Sequence, residues 1–149
     1  MTLLTDDLGQ LVLRLGAAIL AGAALGFDRE LHHKPAGLRT LALVALGAAL
    51  ASIIGISLAS PGNTDSMQRV LQGVLTGIGF IGAGVILRQG NEESIRGLTT
   101  AASIWVTAGL GVACGMGYWR LVLVSLTLTL LVLSIGRRVE ERIHMWFGS

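Results

Sequence analysis

Long apolar runs separated by short polar segments dominate the chain. The runs fall at about residues 9–27, 40–59, 69–88, 99–117 and 119–136. Each is close to the roughly 20 residues that carry a helix across a bilayer. The pattern predicts an all-α fold, an integral membrane bundle of five transmembrane helices in one domain spanning 1–149. The fourth and fifth runs join through Gly115-Met116-Gly117-Tyr118, too short for anything but a tight turn. Beyond Gly136, Val139, Ile143, Trp146 and Phe147 recur at i, i+4, i+7 and i+8 among Arg138, Glu140, Glu141 and Arg142. That spacing predicts an interfacial amphipathic helix over 137–149.

Lysine and arginine orient the spans. Segment 28–39 carries Arg29, Lys34 and Arg39; segment 88–98 carries Arg88 and Arg96; the tail carries Arg137, Arg138 and Arg142. With five spans these three share a side. The expectation is an outside amino terminus and a cytoplasmic carboxyl terminus. Tyr118 and Trp119 fit an outer aromatic belt and Trp146 an inner one. Arg14, inside the first run, either snorkels to the outer headgroups or meets a partner within the bundle.

Composition excludes a soluble life. Of 149 residues 52% are hydrophobic and only 13% charged, against roughly 25% charged in ordinary globular chains. The mean hydropathy is +0.72. The net charge of +2 reflects orienting arginines. No clustered basic face or nucleic-acid-binding module accompanies it, so no nucleic-acid partner is expected. The amino terminus opens with Asp6 and Asp7 rather than the positive charge of a cleavable signal. The single Cys114 forms no intrachain disulfide and reads as a small packing residue.

Glycine sorts the spans. Gly73, Gly77, Gly79, Gly82 and Gly84 crowd the third run, with Gly73 and Gly77 in GxxxG spacing. Gly22 and Gly26 repeat the spacing in the first run, and Gly111 and Gly115 in the fourth. Small residues let membrane helices approach closely. The density predicts a central third helix, and the glycine-free stretch 121–135 predicts a lipid-facing fifth. Gly37-Leu38-Arg39-Thr40 and Gly97-Leu98-Thr99-Thr100 open the second and fourth runs alike, an echo of two like-oriented hairpins. Thr40 and Thr100 are placed to cap those helices.

Chemistry is scarce. No acidic group, histidine, asparagine or lysine lies in the middle third of a run, which weighs against a pump or proton-coupled carrier. No catalytic signature is present. Gly77-Ile78-Gly79-Phe80-Ile81-Gly82 spells GxGxxG inside an apolar span without a preceding strand, so it is not a dinucleotide site. Charge gathers at the cytoplasmic rim: Asp28, Arg29, Glu30, Arg39, Arg88 and Arg96. Ion pairs between hairpins account for these groups. A hydrated Mg²⁺ on Asp28 or Glu30 is the alternative, since that ion needs only one or two carboxylates. His32, four residues after Asp28, belongs to a solvated loop or to a metal or proton site. No cofactor is otherwise expected.

Gly26-Phe27-Asp28-Arg29-Glu30, Lys34-Pro35-Ala36-Gly37-Leu38-Arg39-Thr40, Gly77 to Ile86, and Arg96-Gly97-Leu98-Thr99-Thr100-Ala101-Ala102-Ser103-Ile104-Trp105 together resemble the MgtC/SapB family over about residues 10–135. The resemblance implies a multi-pass bacterial inner-membrane protein with five spans and a cytoplasmic carboxyl end. It implies adaptation to magnesium limitation, an association with survival of intracellular pathogens, and a regulator that restrains the F-type ATP synthase. It directs attention to Asp28, Arg29, Glu30, Arg39, Thr40, Arg96, Thr99 and Thr100. Asp28 stands where the family commonly has Glu. Well-studied members carry a soluble domain after the fifth span, which this sequence is expected to lack. Two functions are weighed: a non-enzymatic regulator working through helix contacts with a membrane partner, and a divalent-cation transporter or channel. Small-residue faces suit intrachain packing or a homo-oligomer equally.

Overall fold

The computed structural model describes residues 8–59, 65–87 and 97–147, without the side chains of 87, 137, 140, 141 and 143–147. Five helices follow one another: α1 (Leu8–Leu31), α2 (Leu38–Ser57), α3 (Asp65–Leu87), α4 (Leu98–Met116) and α5 (Trp119–Phe147). All five are long and apolar enough to cross a membrane, and the described residues contain no strand.

The order of burial differs from the glycine-based expectation. α4 touches each of the other four helices, and 61% of its span is buried, against 6% for α3. α1, α2 and α4 form a mutually packed trio, with α3 laid on α4 and α2. The lipid-facing assignment of α5 stands, since 6% of its span is buried and Leu121, Leu123, Val124, Leu128 and Val132 point outward.

Glycine explains the trio. A Cβ on Gly22 would strike the Leu41 carbonyl, and one on Gly26 would lie 2.5 Å from Leu38 Cα. A Cβ on Gly111 would strike the Ala45 carbonyl and sit 2.8 Å from its Cα; one on Gly115 would strike Ser52 Oγ and lie 2.5 Å from the Ala49 carbonyl. Backbone therefore rests on backbone along α1–α2 and α2–α4, as small residues permit. In α3 only Gly82 meets a neighbour, with its Cβ position 3.4 Å from Ala101. A Cβ on Gly73, Gly77, Gly79 or Gly84 would meet no other part of the chain within 4 Å. The third helix is not the centre of the single chain.

Two helix ends differ from the sequence expectation. α1 runs on through Asp28, Arg29 and Glu30, leaving a short loop at 32–37. It stops in a Schellman turn: Lys34 N donates to Arg29 O (3.0 Å) and His33 N to Glu30 O (3.1 Å), with His33 left-handed at φ 51°. α4 stops the same way at Gly117, φ 76°. α5 continues unbroken past Gly136 to Phe147, 29 residues or about 43 Å, longer than a hydrocarbon layer of about 30 Å. No separate interfacial helix begins at 137. The side chains of Ile143, Trp146 and Phe147 lie outside the described residues.

Candidate functional site

Buried positions on α1 recur at Ala18, Ala21, Gly22, Leu25, Gly26 and Arg29. Arg29 thus continues the packed stripe by one more turn, and its guanidinium enters the bundle with 3% of the residue exposed. On α4 the facing positions are Thr100, Ser103 and Thr107, at helical spacing and all buried. Arg29 donates from Nη1 to Ser103 Oγ (3.1 Å), from Nη2 to Thr100 Oγ1, and from Nε to the Pro35 carbonyl (3.3 Å). One planar cation thereby ties α1, the 32–37 loop and α4. A buried cation needs such partners, because each unsatisfied donor would carry its full desolvation penalty. Ser103 and Thr107 return their own protons to Thr99 O and Ser103 O, both at 2.7 Å.

Arg14 serves the opposite end. Its Nη1 donates to the Gly115 carbonyl at 2.9 Å, in the last turn of α4, where the helix dipole favours a cation. Of the two sequence readings, contact within the bundle is the one seen. The two arginines are 29 − 14 = 15 residues apart on α1, and their acceptors Gly115 and Thr100 are 115 − 100 = 15 apart on α4. The helices run antiparallel, so α4 is held at two points about 22 Å apart.

The remaining rim residues divide. Glu30 accepts from the Leu38 amide through Oε2 at 3.2 Å, which caps α2 from across the loop. Gly37 and Gly97 are the N-cap residues, and as glycines neither has a side chain of its own to cap with. Thr40 and Thr100 therefore do not cap: Thr40 is exposed and Thr100 turns inward to Arg29. The sequence echo also breaks in backbone shape, with φ −80° at Gly37 and 91° at Gly97. The Asp28 carbonyl lies 2.5 Å and its Oδ1 3.8 Å from His32 Nδ1, at the start of the loop. Arg39 and Thr99 are exposed. Arg88 and Arg96 lie outside the described residues, so their pairing with Asp28 or Glu30 is not seen. Among the described residues no three His, Cys, Asp or Glu side chains converge as metal ligands. An apolar crevice of about 270 Å³ opens between α4 and α5 behind Ser103, lined by Ala102, Val106, Leu128 and Val132 among others.

Sequence reading grouped Arg29 with five other rim charges, whereas the phase of the α1 stripe singles it out. The same phase passes through Arg14. The loop that Arg29 grips carries a second left-handed residue, Ala36 at φ 58°, half-buried against the core. Left-handed backbone costs an L-residue about 1–2 kcal/mol. Ala36→Gly is expected to raise stability by up to about 1 kcal/mol after the glycine's extra unfolded-state entropy. A thermal melt in detergent measures it, and a lowered midpoint would mean the methyl contact outweighs the strain.

Comparison with known proteins places this architecture. The MgtC family model matches residues 15–142. The chain belongs to the MgtC family. Protein SrpB of Synechococcus elongatus is 41% identical over 145 residues, covering 91% of this chain and 79% of SrpB. Protein MgtC of Salmonella typhimurium is 43% identical over 133 residues, 89% of this chain and 55% of that protein. Protein SapB of Bacillus subtilis is 41% identical over 128 residues, 81% of this chain and 54% of SapB. The chain thus spans about half the length of the MgtC and SapB proteins that it matches. No solved structure matches. Five apolar helices and these relatives make it a multi-pass protein of the bacterial inner membrane, an MgtC-type membrane protein.

Proposed function

We propose that the chain is a non-enzymatic regulator of the MgtC type that acts on a membrane partner through helix–helix contact during magnesium limitation. The observation that carries the reading is where its polar groups go. Arg14, Arg29, Ser103, Thr107 and Ser52 all bond within the chain, Ser52 Oγ lying 2.9 Å from Ala49 O and 3.3 Å from Val112 O. These bonds rigidify the bundle instead of lining a path for an ion or a reacting substrate. The outer surfaces remain for recognition. The family resemblance makes the membrane sector of the F-type ATP synthase the target to test, with the carboxyl end in the cytoplasm.

The experiment adds purified protein to inverted vesicles containing ATP synthase. The expected result is reduced ATP-driven proton pumping in proportion to the protein reconstituted. Unchanged pumping removes this target. Magnesium flux into proteoliposomes of the protein alone, above that of empty vesicles, would overturn the regulatory reading in favour of a transporter.

A further inference from the structure

α5 is fastened to the bundle at its start and lies loosely beyond it. Val122 is buried beside the Gly117 turn, and past Val122 no described residue of α5 is buried. The crevice of about 270 Å³ between α4 and α5 lies along this loose stretch. Ala102 and Val106 line it on one side, and Leu128, Val132 and Leu133 on the other. Along α4 it reaches from Thr99 to Val106, about two turns or 10 Å. That reach stays within one leaflet of a hydrocarbon layer about 30 Å thick.

The depth of the crevice offers no donor to a polar ligand. Two hydroxyls reach its wall, and both protons are spent inside their own helices. Ser103 donates to Thr99 O and Thr129 to Ser125 O, each at 2.7 Å. Water gains no partner from such a wall, and an apolar cavity of about 150 Å³ already stays dry and takes hydrocarbon instead. Thr99 is the polar exception, and it stands exposed at the start of α4, level with the headgroups. The crevice is therefore apolar in depth and polar at its mouth, the profile of an amphiphile. Its outer wall is already lipid-facing surface: Leu128 and Val132 line it and are 56% and 69% exposed. A partner helix is too bulky to enter, since one turn about 10 Å across and 5.4 Å long fills about 400 Å³.

We propose that the crevice is a lipid site: it seats one acyl chain of a bilayer phospholipid, drawn from the leaflet in which α4 begins, with the headgroup at Thr99. The chain supplies the packing atoms that α5 does not bring to α4, and each methylene gains dispersion contacts on both helices at once. A chain held between two helices leaves more slowly than lipid on the open face of α5. The seat lies behind Ser103, whose hydroxyl holds Arg29 from the other side. A resident chain keeps water from that bond. The site rests on the membrane assignment and not on the regulatory reading, and its test contains no other protein.

The full chain is reconstituted in vesicles of phosphatidylethanolamine and phosphatidylglycerol that include a phosphatidylethanolamine with a photoactivatable diazirine midway along one acyl chain. Adducts are mapped by peptide mass spectrometry. Val106 and Leu133, both half-buried, are expected to be labelled as strongly as Leu131, which faces outward at the same depth. Native mass spectrometry of the purified chain is expected to show one phospholipid retained through detergent washing. Ala102→Phe, which fills the crevice, is expected to lose that lipid and to cut labelling of Val106 and Leu133 about tenfold. Leu131→Phe, outside the crevice, is expected to change neither. No retained lipid, labelling of Val106 and Leu133 far below that of Leu131, equal losses in the two variants, or an adduct joining the crevice to a second protein chain overturns the proposal. If Ala102→Phe does not fold, Val132→Phe fills the crevice from the exposed side of α5 and decides in its place.

Discussion

Gly111→Ala is expected to lower the melting temperature of the bundle more than any other glycine-to-alanine change except Gly115→Ala. The added methyl would strike the Ala45 carbonyl and sit 2.8 Å from Ala45 Cα and 2.9 Å from its carbonyl carbon. All three are main-chain atoms on a helix and cannot rotate away. α2 and α4 must separate, and with them the contact in which Ala45, Ala49, Ala108 and Cys114 are fully buried. Overpacking against movable side chains costs about 1–3 kcal/mol, and a rigid backbone neighbour puts this change at or above the upper end. Gly115→Ala meets Ser52 Oγ and the Ala49 carbonyl, so it also displaces the hydroxyl that reaches Val112 O. The control is Gly84→Ala on α3, whose Cβ has open space and which replaces a poor helix former by the best one. Melting in detergent under monomeric conditions separates the two classes. Equal midpoints for Gly111→Ala and Gly84→Ala would show that α4 is not the centre of the bundle.

That contrast marks how far the sequence was legible. The spans were readable because lipid leaves a segment few choices: about 20 apolar residues with every backbone group bonded internally. Their ends were less so. Asp28, Arg29 and Glu30 are charged and read as loop, yet α1 includes them, because Arg29 finds acceptors inside the bundle and Glu30 finds the Leu38 amide. Glycine spacing showed which helix faces can be approached closely, but not which are. Gly73–Gly77 and Gly111–Gly115 have identical spacing; one faces outward and the other carries the main-chain contact of α2 with α4. Telling them apart required the partner surface, and Ala45, Ala49 and Ser52 on α2 provide it. The rim was legible as a place and not as a circuit. Thr100 resembles a helix cap by position, whereas its hydroxyl is turned 71 residues back in sequence to Arg29, a pairing that only the antiparallel α1–α4 contact creates.

The other large effect falls on that pairing. Arg29→Met is expected to destabilise the protein by about 2–4 kcal/mol, the sum of lost hydrogen bonds to a charged donor minus what the apolar stem recovers. The loss is unevenly shared. Ser103 keeps its bond to Thr99 O at 2.7 Å and stays satisfied, but the Pro35 carbonyl loses the Arg29 donor and Thr100 loses the guanidinium. Arg29→Lys is expected to recover little. An ammonium is a point donor that holds its water tightly, and it cannot reach two hydroxyls and a carbonyl as a planar fork does. Thr100→Val tests the circuit from the α4 side by leaving one guanidinium nitrogen without its acceptor. A double-mutant cycle between Arg29→Met and Thr100→Val is expected to give a coupling of about 1–2 kcal/mol, since each change removes the same bond. Thr99→Val, one residue earlier and exposed, should show no coupling to Arg29. The consequence extends to the loop, because Arg29 is what ties Pro35 to α4. In Arg29→Met the segment 32–37 should exchange its amide hydrogens faster while the middle of α1 stays protected. Unchanged exchange in that loop, or additive effects of the two substitutions, would remove Arg29 as the link between the rim and the core of the bundle.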